Sequence, residues 1–562
     1  MRDGKGGGRG AGKLDPVTVG VLWNRLLSIV DEGTVTLKRT AFSRVVTEAD
    51  DFSNALFDAR GAMIAQPSQG EVAFIGCMST EVAKFLEAFP PATLRPGDVL
   101  ICNDPWLGTS QLNDYTVVTP IFHRRRLAGF AANISHSPDV GGRVLSGDST
   151  EIFEEGFRIP MTRLFRAGRP SEELFAFIRA NVRVPEVVVG DLMAQVTSNA
   201  IVCDRVGAFL RETGLPDLQG LGGEILRRSE RAVRAAIARL PPGTYRGEVE
   251  GDGDTEPVTI RVAVEVRRDR IRVDFAGTSP QTARGCNVAF NWTYADSVYP
   301  ILCALRPESP INAGSLRPLA VFAPPGCVLN AQPPAALGAR IMISHYIHPA
   351  IYRALAPILP DRVIADCAAP MWVPNVAGRN QYGRRFVDIL FMHGGLGARP
   401  AKDGIVVAYP SHPPTTPVEL LENEKPFLVE RKECIPDSAG AGRWRGGFGQ
   451  CYTIRVEGEA PVKLAMRVDR IHHPPQGFAG GRAGRAGRVT LNGARPLHSK
   501  ETVFLQPGDV VDFQTAGGGG YGDPRERDPA LVGQDVENEL VSPEAAAREY
   551  PAVRPVVPAE RV

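Results

Sequence analysis

The chain has 562 residues, 43% hydrophobic and 23% charged, with a net charge of +1. Such a length exceeds one small core and requires two or more domains or one large elaborated unit of ordinary globular composition. The near-neutral balance gives no electrostatic case for nucleic acid or an anionic membrane, and no apolar run approaches the ~20 residues that span a bilayer.

Residues 1–14, MRDGKGGGRGAGKL, read as a flexible basic tail. Gly7 and Gly12-Lys13 imitate a phosphate loop. Leu14 then stands where Ser or Thr would hold magnesium, and no strand precedes the glycines. No other nucleotide-binding motif stands out. The first residues carry no apolar leader, and the nine cysteines are scattered without a CxxC pair. Both features fit a cytoplasmic chain whose cysteines are small buried hydrophobes.

Leu22, Leu26, Ile29, Val30 and Leu37 recur at helical spacing behind Pro16, which suits a first turn. NALFDARGAMIAQ predicts two short strands around a turn from Asp58 to Gly61. STEVAKFLEAF predicts a helix that starts at Ser79 or Thr80 and stops at Pro90-Pro91. RPGDVLICNDP is a turn followed by a buried strand. YTVVTPIF, from Tyr115, and RLAGFAANI, from Arg126, are two strands joined by a short bend.

Helical segments dominate from Ser171 to about Gly214. A further helix carries the stripe Ile225, Leu226, Val233, Ala236, Ile237 and Leu240 and breaks near Pro241. A boundary is placed there, dividing an N-terminal α/β region, 15–243, from a β-rich region, 244–562. In the latter, VTIRVAVEVRRDRIRVDFAG alternates with period two across a turn at Arg268-Asp269. FVDILFMHGG, QCYTIRVEG, VKLAMRV, RVTLNG and DVVDFQTAGGGG read as strands among Gly and Pro turns. The expected fold class is mixed α/β (α+β), with a helix-rich first half carrying a β-hairpin site and a strand-rich second half.

The hairpin brings polar residues together. With its turn centred on Arg124 and Arg125, Asp114 lies opposite roughly position 135, beside His136, and Gln111 lies just beyond. Asp and His carry metal-ligand chemistry, and a Gln oxygen can complete an oxygen-rich site. Asp139 follows closely enough to orient the free ring nitrogen of His136. The same residues also suit two ordinary strand ends, and both readings stand. Elsewhere, Arg443 and Arg445 in DSAGAGRWRGGFG offer either a grip on a carboxylate or phosphate, or subunit packing. His345 and His348 lack a matching carboxylate and suit a structural or interface role. Cys203 and Cys434 show no basic partner that would make a reactive thiolate.

Many segments recur in one order. They include DPVTVGVLWNRL, LKRTAFS, DDFSNALFDARGAMIAQ, NDPWLGTSQLNDYTVVTPIF, DVGG, STEIFEEGFRIP and GDLMAQV. Further along stand VDFAGTSPQTARGCNVAFN, INAGSLRPLAVFAPPG, PVELLENEKP, IPDSAGAGRWRGGFG, LQPGD and GGGGYGDPRERDP. In these the chain resembles the hydantoinase B/oxoprolinase family. Its members are B-type (beta) subunits of ATP-dependent hydantoinases and lactamases, related to acetone and acetophenone carboxylase subunits.

The resemblance implies a hetero-oligomer in which an A-type ATP-binding subunit uses ATP to phosphorylate a cyclic amide. The B-type chain then supports metal-assisted ring opening. An activated metal-bound water fits that chemistry, because a bound metal can lower the pKa of water to ~7. Two alternatives accompany it: a carboxylase large subunit acting on a ketone, and a non-catalytic partner-binding subunit. By resemblance, Asp114 and His136 match ligand positions, Gln111 replaces a histidine, and Asp51 of the DFS segment reaches the metal. Gly70 and Phe74 in GEVAFIGCM stand where family members often carry two more histidines. The losses point toward an oxygen-leaning site for manganese or magnesium rather than zinc, a different substrate, or loss of metal chemistry.

Overall fold

The computed structural model describes residues 15–306, 309–408 and 414–551. The tail assigned to residues 1–14 lies outside the described residues.

The first helix, α1 (Pro16–Thr40), begins where Asp15 accepts the backbone N–H groups of Val17 and Thr18 and Pro16 supplies a fixed φ. Lys38 and Arg39 in its last turn suit the negative end of the helix dipole. After the short α2 (Arg44–Thr47) come β1 (Phe52–Asp58), β2 (Met63–Ala65), α3 (Val72–Ala88), β3 (Val99–Cys102), β4 (Asp114–His123) and β5 (Arg126–His136). Next are β6 (Thr162–Arg166), β7 (Arg169–Pro170), α4 (Glu172–Asn181), α5 (Pro185–Thr213) and α6 (Gln219–Ile237).

The seven strands form one antiparallel sheet in the order β2-β1-β5-β4-β3-β6-β7. Leu56 and Ala131 pack on one face with α1 and α5, while Ala55, Phe57, Phe130 and Ala132 pack on the other with α3. Burial on both faces explains why β1 and β5 read as near-continuous apolar and small runs rather than as alternations.

The expected helix start at Ser79 or Thr80 is corrected to Val72. Both hydroxyls lie inside the helix and donate back to the carbonyls of Gly76 and Cys77. Glu71 caps the helix instead, accepting Ala73 N at 3.3 Å.

The second region opens with β8 (Gly243–Gly251), β9 (Val258–Arg267) and β10 (Arg270–Asp274), then α7 (Phe290–Leu305), α8 (Ala313–Leu316), β11 (Leu319–Phe322), α9 (Ile341–Ser344) and α10 (Ile347–Leu355). The predicted hairpin is present: Arg267 pairs with Arg270, and β9 alternates buried and more exposed residues. The remaining strands are β12 (Asn375–Arg379), β13 (Arg385–Ile389), β14 (Phe427–Cys434), β15 (Gln450–Val456), β16 (Val462–Ala465), β17 (Arg488–Leu491), β18 (Arg495–Pro496), β19 (Thr502–Leu505) and β20 (Val510–Gln514). They form the sheets β13-β12-β16-β19 and β14-β15-β20-β17-β18, beside the sheet β11-β10-β9-β8. The fold is mixed α/β, and the helix-rich first half also holds the largest sheet. One buried apolar cluster joins Phe57 and Phe130 to Val264 and Ile351, so the core runs across Gly243.

The close approach of α3 to α7 rests on Gly76. A Cβ there would lie 2.6 Å from Ala295 Cβ and 2.9 Å from Ala295 Cα. Gly76→Ala is expected to force the helices apart at a cost of about 1–3 kcal/mol. Thermal unfolding checks this, and an unchanged midpoint rejects it.

Candidate functional site

The hairpin turn places Arg124 and Arg125 at φ 48° and 65°, the doubly left-handed bend that matches strand twist. His123 pairs with Arg126 and Phe122 with Leu127. A bulge then intervenes, so that Ile121 pairs with Gly129 and Asp114 pairs directly with His136. An unbulged hairpin would set Asp114 opposite Ser135, whose side chain points to the other face. The bulge therefore turns a near miss into a facing pair. On the other side of β5, Phe52 pairs with Ser135, and His136 N donates to Asp51 O at 3.0 Å. That contact brings Asp51 to the same sheet end.

Asp114 is the hub. His136 Nδ1 lies 2.8 Å from Asp114 Oδ1, and Gln111 Nε2 donates to that same oxygen at 2.8 Å. Arg340, just ahead of α9, donates from Nη2 to Asp114 Oδ2 at 3.1 Å and from Nη1 to Gln111 Oε1. Its guanidinium carbon sits 3.8 Å from the centroid of the Trp292 ring. All four polar residues are buried.

His136 Nδ1 has two neighbours: the Asp114 carboxylate at 2.8 Å, which accepts from an Nδ1–H, and the Gln111 amide nitrogen at 3.0 Å, which donates to a bare Nδ1. His136 Nε2 is buried without a hydrogen-bond partner. Burial raises the Asp114 carboxyl, but Arg340 and His136 outweigh it and hold the group below its ordinary value. Asp51 Oδ2 lies 3.8 Å from His136 Nδ1, and burial pushes the Asp51 carboxyl up to about 7.

Asp51, Glu71, Gln111, His136, Arg340 and Arg467 line one cavity of ≈ 50 Å³, closed by Trp292, Phe391 and other apolar side chains. His345 also lines it. Burial holds that imidazole down at about 3, and hence neutral.

The donors proposed for a metal do converge, but their arrangement does not fit a divalent ion. Arg340 already sits on Gln111 Oε1 and Asp114 Oδ2, and Asp114 Oδ1 is taken by His136 and Gln111. A divalent ion among these atoms would face a fixed guanidinium within contact range, a large like-charge cost in a buried site. Among the described residues, no three His, Cys, Asp or Glu side chains are grouped to hold a metal. In this arrangement the cation in contact with Gln111 and Asp114 is Arg340.

Other expectations change as well. Asp139 does not orient His136. Its Oδ1 accepts Arg183 Nη1 at 2.7 Å and Gly141 N at 3.1 Å, so it ties a loop to the segment ahead of α5. Arg445 grips Asp535 with two hydrogen bonds, Nε at 2.8 Å and Nη2 at 2.9 Å, and clamps the C-terminal helices. Arg443 is exposed, 3.7 Å from Glu526. Neither arginine lines the cavity around His136. His348 packs 3.4 Å from Asp296 and stacks with His345, in keeping with a structural role. Burial pushes the Cys203 thiol up to about 12 and raises that of Cys434, so neither is a ready nucleophile.

Arg340 and Arg467 were missed from the sequence. The available signal was an arginine set within an apolar run, in GARIMISHYI and in KLAMRV. A buried guanidinium there requires partners brought from elsewhere in the chain.

A two-faced α/β scaffold with a buried acid–histidine–guanidinium cluster defines the class of protein. The chain belongs to the hydantoinase B/oxoprolinase family, whose profile matches residues 15–524. It is 30% identical to the caprolactamase subunit beta of Pseudomonas jessenii, with 96% of each chain covered. The crystal structure of the ATP-dependent caprolactamase from Pseudomonas jessenii superposes with a TM-score of 0.88 at 26% identity, covering 96% of this chain and 97% of that one. The nucleotide-free structure of acetone carboxylase shares the fold, with a TM-score of 0.86 at 20% identity, covering 95% of this chain and 79% of that one. No helix among the described residues is long and apolar enough to cross a membrane.

Replacing Arg340 tests the cluster. Arg340→Met leaves Asp114 buried without its cation and is expected to cost about 3–5 kcal/mol. Chelator treatment of the wild type is expected to leave thermal unfolding unchanged. A chelator-induced drop in the midpoint, reversed by a divalent ion, contradicts the guanidinium assignment.

Proposed function

We propose that the chain is the B-type subunit of an ATP-dependent cyclic-amide hydrolase. It receives a hydantoin- or lactam-like ring that an A-type partner has activated by phosphorylation with ATP. Family membership supports the reaction class, and a relative named as a beta subunit supports a hetero-oligomer. The absence of a convincing nucleotide motif fits ATP use on the partner. The single observation that carries the reading is the buried Asp114–His136 pair beside Arg340 at one cavity.

The geometry suits hydrolysis of an activated amide. Asp114 holds His136 Nδ1–H and leaves Nε2 to take a proton, the division of labour of an acid–histidine pair. Water adds to the phosphorylated carboxamide carbon as His136 Nε2 accepts its proton. The ring C–N bond then breaks, the nitrogen leaves with the proton returned by His136, and an acyl phosphate remains. A second water releases phosphate and the carboxylate. Arg340 supplies a fixed positive charge beside the reacting carbon, and the apolar walls restrict bulk water.

Combining the chain with an A-type partner, ATP and a panel of hydantoins and lactams tests this. Ring opening is expected without bicarbonate. His136→Ala is expected to lower it about 100-fold or more, while ATP hydrolysis by the partner persists. Strict dependence on bicarbonate would replace the hydrolase reading with carboxylation of a ketone. Full turnover by His136→Ala would remove the acid–histidine pair from the mechanism.

A further inference from the structure

Arg467 follows β16 (Val462–Ala465) and lines the cavity opposite the hairpin residues. Its side chain is 2% exposed, and its Nε and Nη1 have no hydrogen-bond partner. The Nε of Arg340 is likewise buried without one. Three guanidinium nitrogens from two arginines that line one cavity thus lack acceptors. Buried donors of this kind are costly unless something accepts from them.

The local charges sharpen the point. Asp114 compensates Arg340 through a direct hydrogen bond. Among the described residues, no carboxylate hydrogen-bonds to Arg467 Nε or Nη1. Asp51, Glu155 and Asp114 are near enough to stabilise its charge, but Asp114 is committed to Arg340 and Glu155 Oε1 accepts the backbone amides of Leu337 and Gly338 at 2.9 and 2.7 Å. Burial and the neighbouring Arg340 push the Arg467 guanidinium below its ordinary value. Asp51 and Glu71 share the cavity, and burial raises the Asp51 carboxyl toward its neutral form. Water would satisfy the N–H groups but not the charge. A planar oxyanion satisfies both, because its two oxygens match the guanidinium fork.

We infer that Arg467 and Arg340 form a subsite for a small organic carboxylate in the cavity beside His136. The volume of ≈ 50 Å³ suits a carboxylate group with little else enclosed. If the chain opens cyclic amides, this group is the carboxyl end that ring opening creates. Binding to the chain alone does not depend on that reading.

Titration calorimetry of the full chain with acetate, in chelator and without the partner or ATP, tests the subsite. Wild-type protein is expected to bind acetate. Arg467→Met is expected to weaken binding about tenfold or more, and Arg467→Lys to weaken it less, since the charge survives without the fork. Circular dichroism checks that each variant folds; if Arg467→Met does not fold, Arg467→Lys carries the comparison. Inorganic phosphate and bicarbonate form separate arms. Equal acetate affinity in wild type and variant overturns the proposal, as does acetate binding only after addition of manganese. Binding of phosphate or bicarbonate with none of acetate overturns the carboxylate assignment. A chain that loses acetate binding on Arg467→Met yet opens no cyclic amide retains the subsite and loses only the hydrolase reading.

Discussion

Asp114 carries a negative charge in a place with almost no water, and the site is built around satisfying it. One oxygen takes His136 and Gln111, and the other takes Arg340. A buried carboxylate is tolerated only with such partners, because desolvation otherwise drives it neutral. The same bonds decide two further matters: where the guanidinium lies and which way the Gln111 amide faces. Trp292 supports the arrangement by stacking under Arg340.

The scaffold explains how such a hub is held. Its sheet is covered on both faces, so β4 and β5 cannot slide without exposing apolar residues. A bulge near Phe122 sets the register, and the β1–β5 pairing adds Asp51 from a third segment. Arg340 and Arg467 arrive from the second region, so the cavity exists only where the two regions meet.

Within the hydantoinase B/oxoprolinase family this cluster has a particular chemical character. A guanidinium is a fixed cation with directional donors whose fork matches an oxyanion. The Gln111 amide donates to Asp114 while accepting from Arg340.

The sequence by itself determined the elements whose signals are local. The α1 stripe, the β9–β10 alternation and the turn at Arg124-Arg125 are set by spacing and backbone preference. So is the approach of Asp114 to His136 across a short bend. The start of α3 was misread because Ser79 and Thr80 serve mid-helix as well as at a cap. Asp139 was misassigned because Arg183, its partner, lies far along the chain. Only the tertiary structure decided the bulge, the docking of Arg340 onto Asp114, the commitment of Arg445 to Asp535 and the exposure of Arg467 to the cavity. Each depends on which distant segments meet in a water-poor interior, and a buried charge takes its role from those neighbours rather than from its place in the chain.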